Sequence, residues 1–193
     1  MVVDLQRLGK RPIPQSFFDL SSPIYKNEIC IIGTKDIPDP MLALNFYYGK
    51  GEEEMNAFIE NLALLAPPVY AIRHIGKSSN KYGSIFVMPL LFANVCKEIK
   101  NAKVIMPKEG FFAEPFILFS KNPDEEKTKL IIDFFNSKEF SKVISEKYFI
   151  PESKKSHSLI YKECLKTFFP EVSKIYPLLR KKLSGVPHQN LRS

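Results

Sequence analysis

Residues 102–137, AKVIMPKEGFFAEPFILFSKNPDEEKTKLIIDFFNS, read as strand, turn, strand and capped helix in that order. The apolar runs 104–106 and 115–120 are too short for helices and lie beside Pro and Gly, with 107–110 turning the chain between them. Asn122-Pro123 then opens a helix, an N-cap side chain followed by proline at the first helical position. Asp124, Glu125 and Glu126 follow where the helix dipole favours negative charge. Leu130, Ile131, Phe134 and Phe135 recur at spacings of three and four, so this helix is expected to present one apolar stripe to a sheet. A crossover of two strands into an amphipathic helix suits a chain returning from one α/β lobe to another.

Working backward, residues 28–33, EICIIG, form a continuous β-branched run and are expected as a buried strand. Asp39-Pro40 repeats the cap-plus-proline start, with Met41, Leu42, Leu44, Asn45 and Tyr48 following and Gly49 as the expected stop. A second helix is expected from Gly51, with Glu52, Glu53 and Glu54 in its first turn and Met55, Phe58, Ile59 and Leu62 on one face, as far as Pro67-Pro68. A short helix over 69–75, a polar loop over 76–83, a strand over 84–88 and a helix over 89–98 complete the pass. This alternation argues for α/β layering rather than a bundle or a sandwich.

Two sets of residues carry a family resemblance. One is the strand, the turn Pro107-Lys108-Glu109-Gly110, the Pro115 strand and the helix ending at Ser137. The other is Val3-Asp4, Leu8-Gly9, Arg11-Pro12-Ile13-Pro14, Ser16-Phe17, Asp19-Leu20 and Pro23-Ile24-Tyr25-Lys26. Together, over roughly residues 1–150, they resemble the return and outward crossovers of type II periplasmic solute-binding proteins of ABC importers, the iron and polyamine class. That family usually has Trp where this chain has Phe17, and no Trp occurs here.

The resemblance implies an α/β, periplasmic-binding-protein type II-like fold, with one full lobe, part of the other, and a mixed sheet flanked by helices. It places the outward strand and crossover in 1–14, lobe two in 15–103, the return crossover and part of lobe one in 104–150, and a basic helical tail of lobe one in 151–193. It also implies that Met1 falls partway through the architecture, so the remaining part of lobe one belongs to a missing segment or a separately encoded N-terminal half. The implied role is the substrate-binding component of an ABC transporter, without enzymatic activity. Its partners would be a small solute or metal complex, held in an interlobe cleft, and an ABC permease. A full-length member works in the periplasm or at the extracellular surface. The first ten residues lack the basic-then-apolar order of a secretory signal, which points to the cytoplasm if the chain is expressed as given. The same absence supports the alternative, a cytosolic ligand-sensing module of this fold.

Composition fits a folded α/β protein: 193 residues, 45% hydrophobic and 25% charged, with no apolar run long enough to span a membrane. Past Pro151, Lys154, Lys155, Lys162, Lys166, Lys174, Arg180, Lys181, Lys182 and Arg192 face only Glu152, Glu163 and Glu171, and supply most of the formal +7. Basic arms bind phosphates, but a solvated lysine face is the commoner cause. The phenylalanines sit in apolar stripes, which counts against a nucleic-acid-binding domain. Leu159, Ile160, Cys164 and Phe168 form a stripe expected to pack on lobe one, and residues after Gly185 are expected to be disordered.

Catalytic patterns are missing. Gly76-Lys77-Ser78 imitates a phosphate-loop end, but Ala71 stands where the earlier glycine is required. Cys30, Cys96 and Cys164 lack metal-ligand spacing and read as buried thiols. His74, His157 and His188 have no carboxylate or cysteine partner nearby in sequence, so neither a metal site nor a cofactor is expected. Ligands of open α/β sheets lie beyond the carboxyl ends of strands. That rule nominates Thr34, Lys35, Asp36 and Asp39 after one strand, Pro89 and Leu90 after another, and Glu109 after the return strand. Asp39 is read first as a helix cap and Glu109 first as a turn residue. Ferric-binding members place adjacent tyrosines where this chain has Pro89-Leu90-Leu91-Phe92, while its own pair, Tyr47-Tyr48, lies on a helix. Direct ferric coordination is therefore not expected.

Overall fold

The computed structural model describes residues 1–33, 39–77, 82–110, 121, 125–147, 149 and 172–188, the last helix with its side chains from residue 177 onward. The chain divides into one unit of Met1–Glu109 with Phe168–Ser193 and a second of Gly110–Thr167.

The first unit is organised by a five-stranded mixed sheet. Its strands are β1 (Val2–Asp4), β2 (Ile29–Ile32), β3 (Leu62–Ala66), β4 (Ile85–Val87) and β5 (Ala102–Val104), in spatial order β3-β2-β4-β1-β5. β2 pairs in parallel with β3 and β4, whereas β1 is antiparallel to both β4 and β5. Val2 thus stands opposite Phe86 on one side and Val104 on the other. Hydrogen bonds between Met1 and Ile105, 3.0 Å and 2.8 Å, continue the β1–β5 ladder. The outward and return spans are therefore neighbours, as the α/β crossover reading requires.

Alternation along the strands sorts the core into two faces. Val2, Cys30, Leu64, Ala66 and Phe86 pack with Ala71 and Ile75 of the α4 region (α4, Pro68–His74) and with Ala93 and Cys96 at and just after α5 (Leu90–Val95). Burial pushes the Cys30 thiol up to about 12, so it is an inert core group, as its apolar run suggests. Val3, Ile29, Ile31, Leu65 and Ile85 are buried on the opposite face. Further large buried side chains come from α2 (Met41–Lys50), α3 (Glu52–Glu60) and the 3-10 turn Phe18–Ser21, among other elements. A four-residue helix, α1 (Leu5–Leu8), follows β1 at the sheet's opposite end from the candidate site.

Three expectations are corrected here. The helix expected from Gly51 to Pro67 ends at Glu60, and Leu62–Ala66 is the edge strand β3. Leucine and alanine favour helix, and a short apolar run carries no period to contradict them. The decision is tertiary: buried Asn61 donates its side-chain amide to the Leu20 and Ser22 carbonyls, fixing the chain between α3 and β3. Gly49 does not stop α2, which runs to Lys50 and ends at Gly51 with φ of 94°. Gly49 instead makes room for a ring, since a Cβ there would lie 2.8 Å from Phe18 Cζ.

The third correction concerns the tail. α8 (Val172–Leu183) belongs to the unit that holds the sheet, with Leu179 and Leu183 fully buried and Lys182 Nζ bonded to Asn56 and, at 3.3 Å, to Glu52. Nor is the chain disordered directly after Gly185. Val186 is buried, the Leu65 amide donates to the Pro187 carbonyl at 2.7 Å, and His188 bridges Leu65 in parallel. This segment covers the open edge of β3, a common way to protect an edge strand. Pro177 inside α8 and the density of lysines hide the helix's short leucine seam from a periodicity reading. The 159–168 stripe and the strand expected at 115–120 lie outside the described residues.

In the second unit α6 (Glu126–Phe135) is followed by α7 (Lys138–Glu146), whose N-cap Ser137 accepts from the Phe140 amide at 3.1 Å. The expected single helix to Ser137 is therefore shorter, and its Asn122 cap falls outside the described residues.

Gly83 shows how tightly the strand entries meet. A Cβ there would stand 2.1 Å from the Glu28 carbonyl oxygen, a backbone atom that cannot swing aside. Gly83→Ala is expected to destabilise the protein by about 2–3 kcal/mol through overpacking. Urea denaturation checks this, and an unchanged midpoint would contradict the close approach of β2 and β4.

Candidate functional site

Because β5, like β4, is antiparallel to β1, the four strands β2, β3, β4 and β5 all point their carboxyl ends to one edge of the sheet. Two of them are followed at once by proline-initiated helices. Pro67-Pro68 turns β3 into α4, and Pro89 turns β4 into α5, both with the backbone pre-set for helix entry. The sequence thus ends each strand abruptly and exposes its last residues along this edge.

Asp39 stands after β2. Its Oδ1 accepts the Met41 amide at 2.9 Å, and its own amide donates to the Ile32 carbonyl at 3.4 Å. It therefore satisfies the first amide of α2 from one position before the N-cap, which is Pro40, close to its first sequence reading. Burial raises the Asp39 carboxyl above the ordinary range, and the Met41 N–H only partly offsets this. A raised carboxyl pKa means that the folded state holds the proton more tightly than the unfolded chain, so this group's contribution weakens as pH rises through the carboxylate range. Asp39→Asn should therefore gain on the parent protein between about pH 4 and pH 7. Paired denaturation curves at the two pH values check it, and a constant gap would refute it.

The remaining nominated residues divide. Thr34, Lys35 and Asp36 lie outside the described residues. Pro89 is exposed and Leu90 half-buried at the end of β4, and Val69 on α4 is 53% exposed near the end of β3. Among the described residues the edge thus offers apolar surface beside the half-buried Asp39 carboxyl group. Glu109 is already engaged, its carboxylate accepting from the Ser16 hydroxyl and, at 3.3 Å, from the Phe17 amide. Asp19 accepts the Gln15 and Ser16 amides at 2.8 Å and 2.9 Å, and the Lys108 amide donates to the Gln15 carbonyl at 2.9 Å. The outward and return connections are tied together by these bonds.

Sequence reading missed a second tie, at the amino end of the sheet. Buried Asp4 accepts the Gln6, Arg7 and Gly76 amides and lies 3.5 Å from Arg7 Nε. Arg7 in turn donates to the carbonyls of His74, Lys77 and Gly83. The spacing Asp4, Arg7 was its only signal in the sequence, and three residues on a short helix is a weak one.

Two clusters of phenols are visible among the described residues. Tyr47 and Tyr48 contact edge-to-face at 5.2 Å on α2. Tyr70, on α4, meets Tyr82 at 5.5 Å and His74 at 4.0 Å. Desolvation, reinforced by a hydrogen bond with Tyr82, raises the Tyr70 hydroxyl well above its usual value. That environment opposes the phenolate a ferric ion needs. Among the described residues no group of three or more His, Cys, Asp or Glu side chains could hold a metal ion.

A mixed sheet with one inserted antiparallel strand, and its parallel strand ends gathered on one open edge, defines an α/β ligand-binding lobe. The chain belongs to the bacterial extracellular solute-binding protein family, whose sequence pattern it matches over residues 1–164. Among curated proteins no sequence matches it. Its fold is similar to that of an ABC transporter protein from Clostridium perfringens, at 15% identity and a TM-score of 0.62 over 96% of this chain and 65% of that one. It is also similar to the periplasmic binding protein P5PA, at 20% identity and TM-score 0.59 over 96% and 65% of the two chains. The ferric binding protein from Campylobacter jejuni is a third likeness, at 18% identity and TM-score 0.56 over 94% and 64%. The chain thus spans about two thirds of the length of these structures. Among the described residues no helix is long and apolar enough to cross a membrane.

Proposed function

We propose that this chain is the larger part of the substrate-binding component of an ABC importer, acting by binding rather than by catalysis and delivering its ligand to a permease outside the cytoplasm. The observation that carries this reading is the strand order β3-β2-β4-β1-β5 with β1 reversed, in a chain of the solute-binding family. It gives one lobe with an open carboxyl edge, and ligands of such sheets bind at that edge. In the complete receptor a second lobe supplies the opposite wall, and closure traps the solute. Family membership favours this over the cytosolic sensing module.

The ligand meets Asp39, Pro89, Leu90 and the segment with Thr34, Lys35 and Asp36. Glu109 serves the same site by holding the two connections together. Apolar surface at Pro89, Leu90 and Val69 and the lack of a tyrosine pair after β4 favour a small organic solute or a chelated metal over a bare ferric ion. Thermal-shift and calorimetric titrations with spermidine, ferric citrate and free ferric ion test this. A binding solute at a hundred times its Kd stabilises by about 2.7 kcal/mol, some 5–10 °C for a chain of this size. Stabilisation by free ferric ion, with a visible phenolate-to-iron absorption band, would overturn the preference.

A further inference from the structure

The end of the sheet remote from the ligand edge gathers positive charge. Several connections meet there: α1 with residues 9–11 after β1, residues 26–28 before β2, residues 75–77 after α4, and residues 96–101 between α5 and β5. Hydrogen bonds hold them side by side, from the Leu5 amide to the Asn101 carbonyl at 2.8 Å, from Arg7 Nη2 to the Lys77 carbonyl at 2.6 Å and from Arg11 Nη2 to Glu28 Oε1 at 2.5 Å. A Cβ on Gly76 would lie 2.9 Å from the Lys100 carbonyl oxygen, so the turns that carry Lys77 and Lys100 touch. Two acids of this end are already neutralised by arginines, Asp4 by Arg7 and Glu28 by Arg11. Lys10, Lys26, Lys77, Lys97 and Lys100 are all exposed, and none has an ion-pair partner among the described residues. Against them stand the exposed carboxylates of Glu98 and, next to the edge strand β3, Glu60.

Leu5, Ile24 and Val95, on or beside the same connections, are 38%, 46% and 59% exposed. Lysines among exposed aliphatic side chains are what a protein offers to a bilayer surface, ammonium groups for the phosphates and apolar groups for the headgroup boundary. We propose that this end of the sheet docks on a lipid bilayer rich in anionic phospholipid. Charge complementarity selects the occupant, since each unpaired lysine adds to the attraction. A single-stranded nucleic acid is the weaker partner, because the large apolar side chains exposed here are aliphatic and give a base no ring to stack on. A second copy of this chain would set lysines against lysines. The carboxyl ends of β2, β3, β4 and β5 lie at the opposite end of the sheet, so docking leaves the ligand edge open and retention at a membrane is compatible with solute capture. The inference does not depend on the identity of the solute or on delivery to a permease.

The test is sedimentation of the full chain with vesicles of mixed phosphatidylglycerol and phosphatidylcholine, and with vesicles of phosphatidylcholine alone, at about 0.15 M salt. Partition onto the anionic vesicles is expected to exceed that onto the neutral ones by about tenfold or more, and to fall as salt is raised. K77E/K100E should cut this partition by about tenfold and the milder K77Q/K100Q by several-fold, with the far-ultraviolet circular dichroism unchanged. R180E/K181E, at exposed positions of α8, lowers the net charge as much as K77E/K100E does and is the control, expected to retain most of the binding. Val95→Asp should weaken partition several-fold by removing apolar contact. The proposal is overturned if the chain ignores anionic vesicles, if it binds both kinds equally, or if R180E/K181E loses as much as K77E/K100E. It is equally overturned if K77E/K100E abolishes binding to a single-stranded oligonucleotide while vesicle binding stays intact.

Discussion

Asp4→Ala is expected to lower stability by about 3–5 kcal/mol, the loss typical of breaking one side of a buried ion pair. Asp4 is 1% exposed and is the shared acceptor for the Gln6, Arg7 and Gly76 amides. Its removal strands these donors and leaves the Arg7 guanidinium, whose side chain is 7% exposed, with its carbonyl partners but without its counter-charge. At about 2–4 °C per kcal/mol for a protein of this length, the melting temperature should fall by roughly 10 °C. The network joins β1 and α1 to the loop before β4, so its loss loosens the span by which the chain enters the sheet. Thermal melts of Asp4→Ala, Arg7→Ala and the double variant measure the coupling. If Asp4→Ala cost less than about 1 kcal/mol, the network would be no stronger than an exposed salt bridge.

Phe58→Ala should be comparably severe, about 3–5 kcal/mol, because it leaves a cavity in the helical layer. Phe58 and Phe46 are both fully buried and stack at 4.5 Å with their planes 8° apart. Phe18 closes the group edge-on to Phe46 at 5.4 Å, in the space Gly49 leaves free. One deletion therefore disturbs α2, α3 and the 3-10 turn together. The urea midpoint should fall sharply, whereas Phe58→Leu, which keeps most of the volume, should cost less than half as much. Equal losses for the two variants would show that ring stacking, not filled volume, dominates this site.

The second unit's helices illustrate a different limit of reading. The stripe at Leu130, Ile131, Phe134 and Phe135 identifies a helix face that needs a partner, but periodicity is silent on where that partner lies. A local pattern reports which side of an element avoids water, not what covers it. The same limit explains Glu109. Its position after the return strand made it a candidate at the ligand edge, and only the fold brings Ser16 and Phe17, more than ninety residues earlier, against its carboxylate.

By itself the sequence determined that β2 and β4 are strands, that prolines start helices just beyond them, and that Asp39 serves the entry of α2. These features depend on neighbours within one or two turns of chain, where turn chemistry and hydrophobic period act directly. It also carried the order of parts by which the family is recognised. Tertiary structure alone decided that Leu62–Ala66 is a strand, that Asp4 and Arg7 lock the sheet's far end, and that residues 186–188 cover its edge. Each of these rests on partners dozens of residues distant, whose hydrogen bonds and burial outweigh a local preference of less than about 1 kcal/mol per residue.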